Sequence, residues 1–172
     1  MSNHPRRAGI ALGSNIEPRL YHLRSAVDGL RNLHVEAAQH FVISHVYETQ
    51  PDDCVLGTPS FLNAVAELST LLDPESLLSE LQTLETLGGR PEIRPKNSPR
   101  TIDLDLLYLG SEVHESELLT LPHPRISQRS FVLAPLLDVA PDLILPGQAK
   151  TISQLSLEWG LAGVARRWDC QL

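Results

Sequence analysis

The stretch RPKNSPRTIDLDLLYLG, residues 94–110, starts as a loop and ends as a strand. Its first part carries Arg94, Lys96, Arg100 and two prolines, a composition that resists regular structure. From Ile102 the chain turns apolar, with Asp103 and Asp105 set into the start of the run. Side chains alternate along a strand, so Thr101, Asp103 and Asp105 share one face. That face is expected to continue with Leu107 and Leu109, while Ile102, Leu104 and Leu106 take the other.

Upstream, DPESLLSELQTLETL predicts a helix from about Asp73 to Leu87. Asp73 suits an N-cap, Pro74 the first helical position, and Leu77, Leu78, Leu81, Leu84 and Leu87 form an apolar stripe that Gly88 and Gly89 end. Before it, SFLNAVAELST (60–70) alternates as a strand. Leu62, Ala64, Ala66 and Leu68 lie on one face, and Phe61, Asn63 and Val65 on the other. QPDDCVLGTPS (50–60) reads as a loop, and VEAAQHFVISHVYET (35–49) as a strand with imperfect alternation. Residues 18–33 predict a helix with Pro18 in its first turn, and AGIALGS a first strand ending in Gly13, Ser14 and Asn15. The order strand, helix, strand, strand, helix, strand is that of a ferredoxin-like fold, an α+β sandwich with a mostly antiparallel sheet and flanking helices. Downstream, VHESELLTL suggests a short strand pair, RSFVLAPLLDVAP (129–141) a short helix interrupted by Pro135, and the tail a weak last helix. No linker or repeat divides residues 1–172, so a single domain is expected.

The totals narrow the function. A net charge of −7 disfavours nucleic acid and anionic membranes as partners. Cys54 and Cys170 lack the spacing of a zinc site or disulfide frame, and the first residues lack the apolar core of a signal peptide. A cytoplasmic, monomeric protein is expected. Within this acidic chain the cations cluster, with Arg90, Arg94, Lys96 and Arg100 in one loop.

Two carboxylates at the edge of a buried surface repel each other unless a cation lies between them, and hard oxygen ligands at this spacing suit Mg²⁺. Read alone, the pair is a strand end paired with Arg100; beside the clustered cations the metal reading is the better one. Guanidinium groups bind phosphate oxygens bidentately, so arginines and metal ligands together describe a polyphosphate site. His123, Arg125, Arg129 and Phe131 in LPHPRISQRSF could add anion contacts near a helix start. Asn63, on a strand face with Phe61, suits a flat hydrogen-bonding heterocycle, or is satisfied by neighbouring backbone. Walker, GxGxxG and protein-kinase motifs are absent.

ALGSN, FLNAV, PRTIDLDLLYLG, LPHPR and RSFVLAPLLDVAPDL together resemble the 6-hydroxymethyl-7,8-dihydropterin pyrophosphokinases of folate biosynthesis. The resemblance implies a kinase that transfers pyrophosphate from ATP to the hydroxymethyl oxygen of the pterin, releasing AMP, with two Mg²⁺ ions. By the same resemblance, Asp103 and Asp105 are metal ligands, and Arg90 and Arg100 contact the phosphates as catalytic groups. Gln82, Glu85, His123 and Arg129 line the ATP site. Thr49, Phe61, Asn63 and Phe131 hold the pterin, with Phe131 stacking on it. Loops 13–17, 50–59 and 90–98 are the flaps. Glu92 stands where some members have a second loop arginine, Asn97 replaces an aromatic, and Arg94 is placed to substitute for the missing cation. A metal-dependent phosphohydrolase and a non-catalytic binding relative are the competing readings.

Overall fold

The computed structural model describes residues 4–35, 40–50, 59–90, 98–160, 166–168, 170 and 172. Cys54, Glu92, Arg94, Lys96 and Asn97, and with them most of the loops 50–59 and 90–98, lie outside the described residues.

Strands β1 (Arg6–Ser14), β2 (Val42–Ile43), β3 (Val46–Thr49), β4 (Phe61–Thr70), β5 (Asp103–Leu109) and β8 (Arg166–Trp168) form one antiparallel sheet in the order β5-β1-β4-β3-β8, with β2 also paired to β4. This is the ferredoxin-like order expected from the succession of elements, extended at one edge. A separate hairpin joins β6 (His114–Glu115) and β7 (Thr120–Leu121), matching the strand pair read in VHESELLTL.

Both faces of the sheet are covered. Helices α1 (Arg19–Leu33) and α2 (Pro74–Leu87) pack Leu23, Val27, Leu30, Leu77 and Leu81 against Ile10, Leu12, Leu62, Leu68, Leu104 and Leu106. Helices α3 (Ser130–Val139) and α4 (Ile152–Trp159) cover the other face with Val132, Leu133, Leu136, Ile152 and Leu155 over Val65 and Leu107. Each buried aliphatic side chain contributes roughly 1.5–3 kcal/mol, so a two-sided sheet needs both helical layers. Among the described residues no helix is long and apolar enough to cross a membrane.

The second helix begins and ends as its sequence requires. The Asp73 side chain accepts the Ser76 N–H at 3.0 Å, a cap that contributes about 1 kcal/mol. At the other end a Cβ on Gly88 would stand 2.7 Å from Ile102 Cγ2, so the missing side chain lets α2 end against the approach to β5. Gly89 follows with φ +86°, and the chain turns Arg90 back toward that strand.

Several local expectations are corrected. Pro18 is the N-cap of α1, one residue outside the helix. The described residues of the stretch 35–49 form two short strands parted at Ser44 and His45, where Ser44 N–H donates to the Val65 carbonyl at 2.9 Å and its hydroxyl accepts from Val65 N–H. Helix α3 runs through Pro135 without interruption. Burial of Val132, Leu133, Ala134 and Leu136 against the sheet outweighs the roughly 3 kcal/mol that an interior proline costs. The tail forms the last helix expected there, α4, capped by a reciprocal Thr151 and Gln154 pair and ended by Gly160 at φ +57°, but it also adds an unexpected strand, β8, to the sheet edge. Most consequential is a bulge in β5. Leu106 pairs with Ile10 and Tyr108 with Gly9, so Leu107 is an extra residue. The face of Asp103 and Asp105 therefore continues with Leu107 and Tyr108, and Leu109 turns to the α1 and α2 side.

Candidate active site

Cross-strand register assembles the site. Asp103 on β5 sits opposite Gly13 on β1, Gly13 opposite Asn63 on β4, and Asn63 opposite Tyr47 on β3. The adjoining row places Asp105 beside Ala11 and Val65, and Thr49 faces Phe61 at the strand ends. Residues paired this way share a sheet face, so two carboxylates, an amide, a threonine and an aromatic ring meet at one end of the α3 and α4 face. Gly13 keeps the centre of the row open. A Cβ there would lie 3.1 Å from Asn63 Oδ1, 3.7 Å from Phe61 Cδ1 and 4.0 Å from Asp103 Cβ.

Arginines from three segments converge on the carboxylates. Arg90, just past α2, meets Asp103 at 2.6 Å and also pairs with Glu85. Arg100 reaches the other oxygen of Asp103 at 3.0 Å, and its guanidinium lies 5.2 Å from the centre of the Phe61 ring. Arg129, at the start of α3, meets Asp105 at 3.4 Å and lies 5.3 Å from the Phe131 ring. Burial, reinforced by the charge of Arg125, lowers the Arg129 pKa, while Asp105 and Asp103 oppose the shift. Asp105 is the most accessible carboxylate of the set, its side chain 39% exposed against 20% for Asp103.

Glu85 is a strut as well as a partner. Its Oε1 accepts the Leu104 N–H at 2.7 Å, between the two aspartates, and its backbone carbonyl accepts the Arg90 N–H at 3.0 Å. One residue thus ties the end of α2, Arg90 and β5 together. Gln82 is exposed one turn earlier on α2, on the same side as Glu85.

His123 is held by its own loop. Its backbone N–H donates to the Leu107 carbonyl at 2.8 Å, and its Nδ1 accepts the Arg125 N–H at 3.2 Å. The neutral ring therefore carries its proton on Nε2. Burial lowers its pKa, aided by Arg129 and Arg125 and opposed by Asp105, so the ring is a neutral donor at pH 7. On β4 the Asn63 amide N–H donates to Thr49 Oγ1 at 2.7 Å, and both side chains are buried. Among the described residues no donor reaches the amide oxygen, which stands over the gap at Gly13.

Among the described residues no group of three or more His, Cys, Asp or Glu side chains gathers to hold a metal. The site offers two carboxylates, a donor set that fits a hard divalent cation whose remaining positions are filled by phosphate oxygens and water. It does not fit a structural zinc site, which needs four protein ligands. The structure thus brings together Arg90, Arg100, Asp103 and Glu85 in one cluster, Asp105 with Arg129, Arg129 with Phe131, and Asn63 with Thr49. Two arrangements were missed by sequence reasoning. Asn15 binds the backbone of Arg100, and its only signal was a polar residue after Gly13 and Ser14. Arg19 donates to Glu48 and Ser60 at the two ends of the 50–59 loop, with no pattern in the sequence to mark it.

The family model of the 7,8-dihydro-6-hydroxymethylpterin-pyrophosphokinases matches residues 9–141. The chain is 39% identical over 145 residues to the 2-amino-4-hydroxy-6-hydroxymethyldihydropteridine pyrophosphokinase of Haemophilus influenzae, covering 81% of this chain and 84% of that one. It is 40% identical over 137 residues to the folic acid synthesis protein fol1 of Pneumocystis carinii, covering 80% of this chain but only 18% of that much longer protein. Among solved structures, wild-type Plasmodium falciparum HPPK-DHPS with pteroate superposes with a TM-score of 0.76 at 15% identity, covering 97% of this chain and 48% of that one, a likeness of fold. The extent of these matches, together with the carboxylate, arginine and amide row described above, makes this chain a member of the 7,8-dihydro-6-hydroxymethylpterin-pyrophosphokinase family, whose reaction in folate biosynthesis is pyrophosphate transfer to hydroxymethyldihydropterin.

Proposed function

We propose that residues 1–172 form one pyrophosphokinase domain that transfers pyrophosphate from ATP to 6-hydroxymethyl-7,8-dihydropterin, giving AMP and the pterin diphosphate. The single observation that carries this reading is the row Asp103, Gly13, Asn63, which sets an arginine-ringed carboxylate beside an open amide and an aromatic ring. A hydrolase needs a route for water to the phosphorus; an amide and rings beside the anion site favour an organic acceptor.

In this reading the two carboxylates of Asp103 and Asp105 would hold Mg²⁺, and the ion would supply charge neutralisation for the phosphates. Arg90 and Arg100 each use few of their N–H donors on Asp103, and the rest face charge developing on the transferring group. Arg129 and the Nε2–H of His123 add donors for the nucleotide phosphates, and Gln82 and Glu85 border the nucleotide. Asn63 Oδ1 accepts an N–H of the pterin while its own N–H is held by Thr49. Phe61 and Phe131 bound the ring. Little covalent work falls to side chains: the reaction is governed by alignment of the hydroxymethyl oxygen with the β-phosphorus and by electrostatic stabilisation.

The test is AMP release from ATP and Mg²⁺ with and without the pterin alcohol. AMP that forms only when the pterin is present supports the reading. ATP consumption without pterin, or binding of both substrates without turnover, overturns it.

A further inference from the structure

Asn15 follows the last residue of β1 and is 2% exposed. Its backbone N–H donates to the Arg100 carbonyl at 3.2 Å, and its side-chain Oδ1 accepts the Arg100 N–H at 2.8 Å. Both main-chain polar groups of Arg100 are therefore bound by one residue distant in sequence. Arg100 itself precedes β5 and takes no part in the sheet ladder, so nothing in the strand pairing fixes its backbone. From this anchored root its guanidinium reaches Asp103 at 3.0 Å and lies over Phe61. A long side chain with about 2 kcal/mol of rotamer entropy is placed only as well as its backbone is. Asn15 Nδ2 has no protein partner among the described residues, so the side chain serves here through its acceptor oxygen.

We propose that Asn15 is a positioning residue for the transfer reaction, acting through Arg100 by fixing the peptide from which that guanidinium reaches Asp103. The proposal rests on the reading of Arg100 as a phosphate-contacting group. It assigns Asn15 no contact with either substrate. Its side chain is instead the acceptor that a backbone N–H outside the sheet would otherwise lack.

The test is a double-mutant cycle on the full chain, with kcat measured by AMP release and folding by thermal melting, together with amide hydrogen exchange on the wild-type protein. Asn15→Ala is expected to lower kcat about tenfold and Arg100→Ala about a hundredfold, in line with small misplacement against loss of a donor. In the Arg100→Ala background, Asn15→Ala should add less than about a twofold loss, because the two act as one unit. The Arg100 amide should exchange at least about tenfold more slowly than an unprotected peptide N–H. Should the alanine variant unfold, Asn15→Ser gives a second cycle with a smaller perturbation. Multiplicative losses, or an unprotected Arg100 amide, overturn the proposal. So does full activity of a folded Asn15→Ala beside an impaired Arg100→Ala, with the phosphate reading left standing. Full activity of Arg100→Ala overturns both.

Discussion

Gly9 and Gly13 lie on the same strand and the same face of the sheet, yet their surroundings differ. At Gly9 the missing side chain is replaced by the ring of Tyr108, whose Cε1 lies 2.2 Å from where a Cβ would stand. Beside it Glu67 is buried, 2% exposed, and accepts the Tyr108 hydroxyl at 2.7 Å, with His40 in contact and Arg7 at 3.9 Å. At Gly13 the space stays open between Asn63, Phe61 and Asp103. The carboxylates there are partly exposed and held by arginines on both flanks. One end of the face uses a carboxylate as a filled polar core; the other keeps its carboxylates within reach of solvent and ligand. Burial and spare volume, more than the presence of charge, distinguish a site from a structural network.

The largest expected difference comes from removing a carboxylate at the open end. Asp105→Ala should lower kcat by about a thousandfold or more, as loss of a principal electrostatic group does, and change the melting temperature little. Arg90→Ala should lower kcat by about a hundredfold with little effect on KM. A folded Asp105→Ala enzyme with near-normal turnover would make the open end as structural as the closed one. At the closed end the effects invert. Glu67→Ala should cost about 3 kcal/mol in denaturant unfolding, since it leaves Tyr108 and His40 without their shared acceptor. Turnover by the folded fraction should stay within about twofold of wild type.

The two glycines give a smaller, more pointed contrast. Gly9→Ala should destabilise by about 1–3 kcal/mol through overpacking against Tyr108, without altering substrate affinity. Gly13→Ala meets only close contacts with Asn63 Oδ1 and should leave stability nearly unchanged. It should raise KM for the pterin about tenfold, because a methyl group would cover the amide oxygen. Unfolding curves and pterin titrations on both variants check the pair; equal KM values would remove Gly13 from the binding surface.

The open end was more legible in sequence than the closed one. Alternation in SFLNAVAELST put Asn63 with Phe61, and alternation in TIDLDL put Asp103 with Asp105, so each half of the site could be read locally. Their junction through Gly13 depended on strand pairing, which the order of elements supplied. Nothing local marked the bulge at Leu107, because either register leaves a leucine on each face. The partner of Glu67 was hidden for the same reason: without the bulge, Tyr108 would lie on the opposite face. Strand β8 escaped because Arg166, Arg167 and Trp168 show no alternation, and its place is set by pairing with β3. Helix α3 defied its proline because packing on the sheet, invisible in a propensity, decided the outcome.

A third carboxylate tests whether an arginine grip by itself makes a site. Glu48 is held by Arg19 at 3.0 Å and by the Ser60 hydroxyl at 2.8 Å, while Arg19 also donates to the Ser60 carbonyl and lies over Trp168. These contacts join the strand ends that carry Thr49 and Phe61. The Ser60 hydrogen bond, with Arg19 and Arg166 contributing, holds the Glu48 pKa below its ordinary value. A carboxylate with a lowered folded pKa adds stability that is present above its unfolded pKa, about pH 4.5, and lost as pH falls through the lower folded value. Glu48→Gln should therefore be less stable than wild type at pH 7, by under about 1 kcal/mol given solvent screening, and the gap should close on acidification below about pH 4.5. Unfolding midpoints of the two proteins across that range measure it. A gap that persists in acid would mean that shape, rather than charge, fastens these strand ends. A fall in kcat beyond about tenfold would place Glu48 with the open end after all.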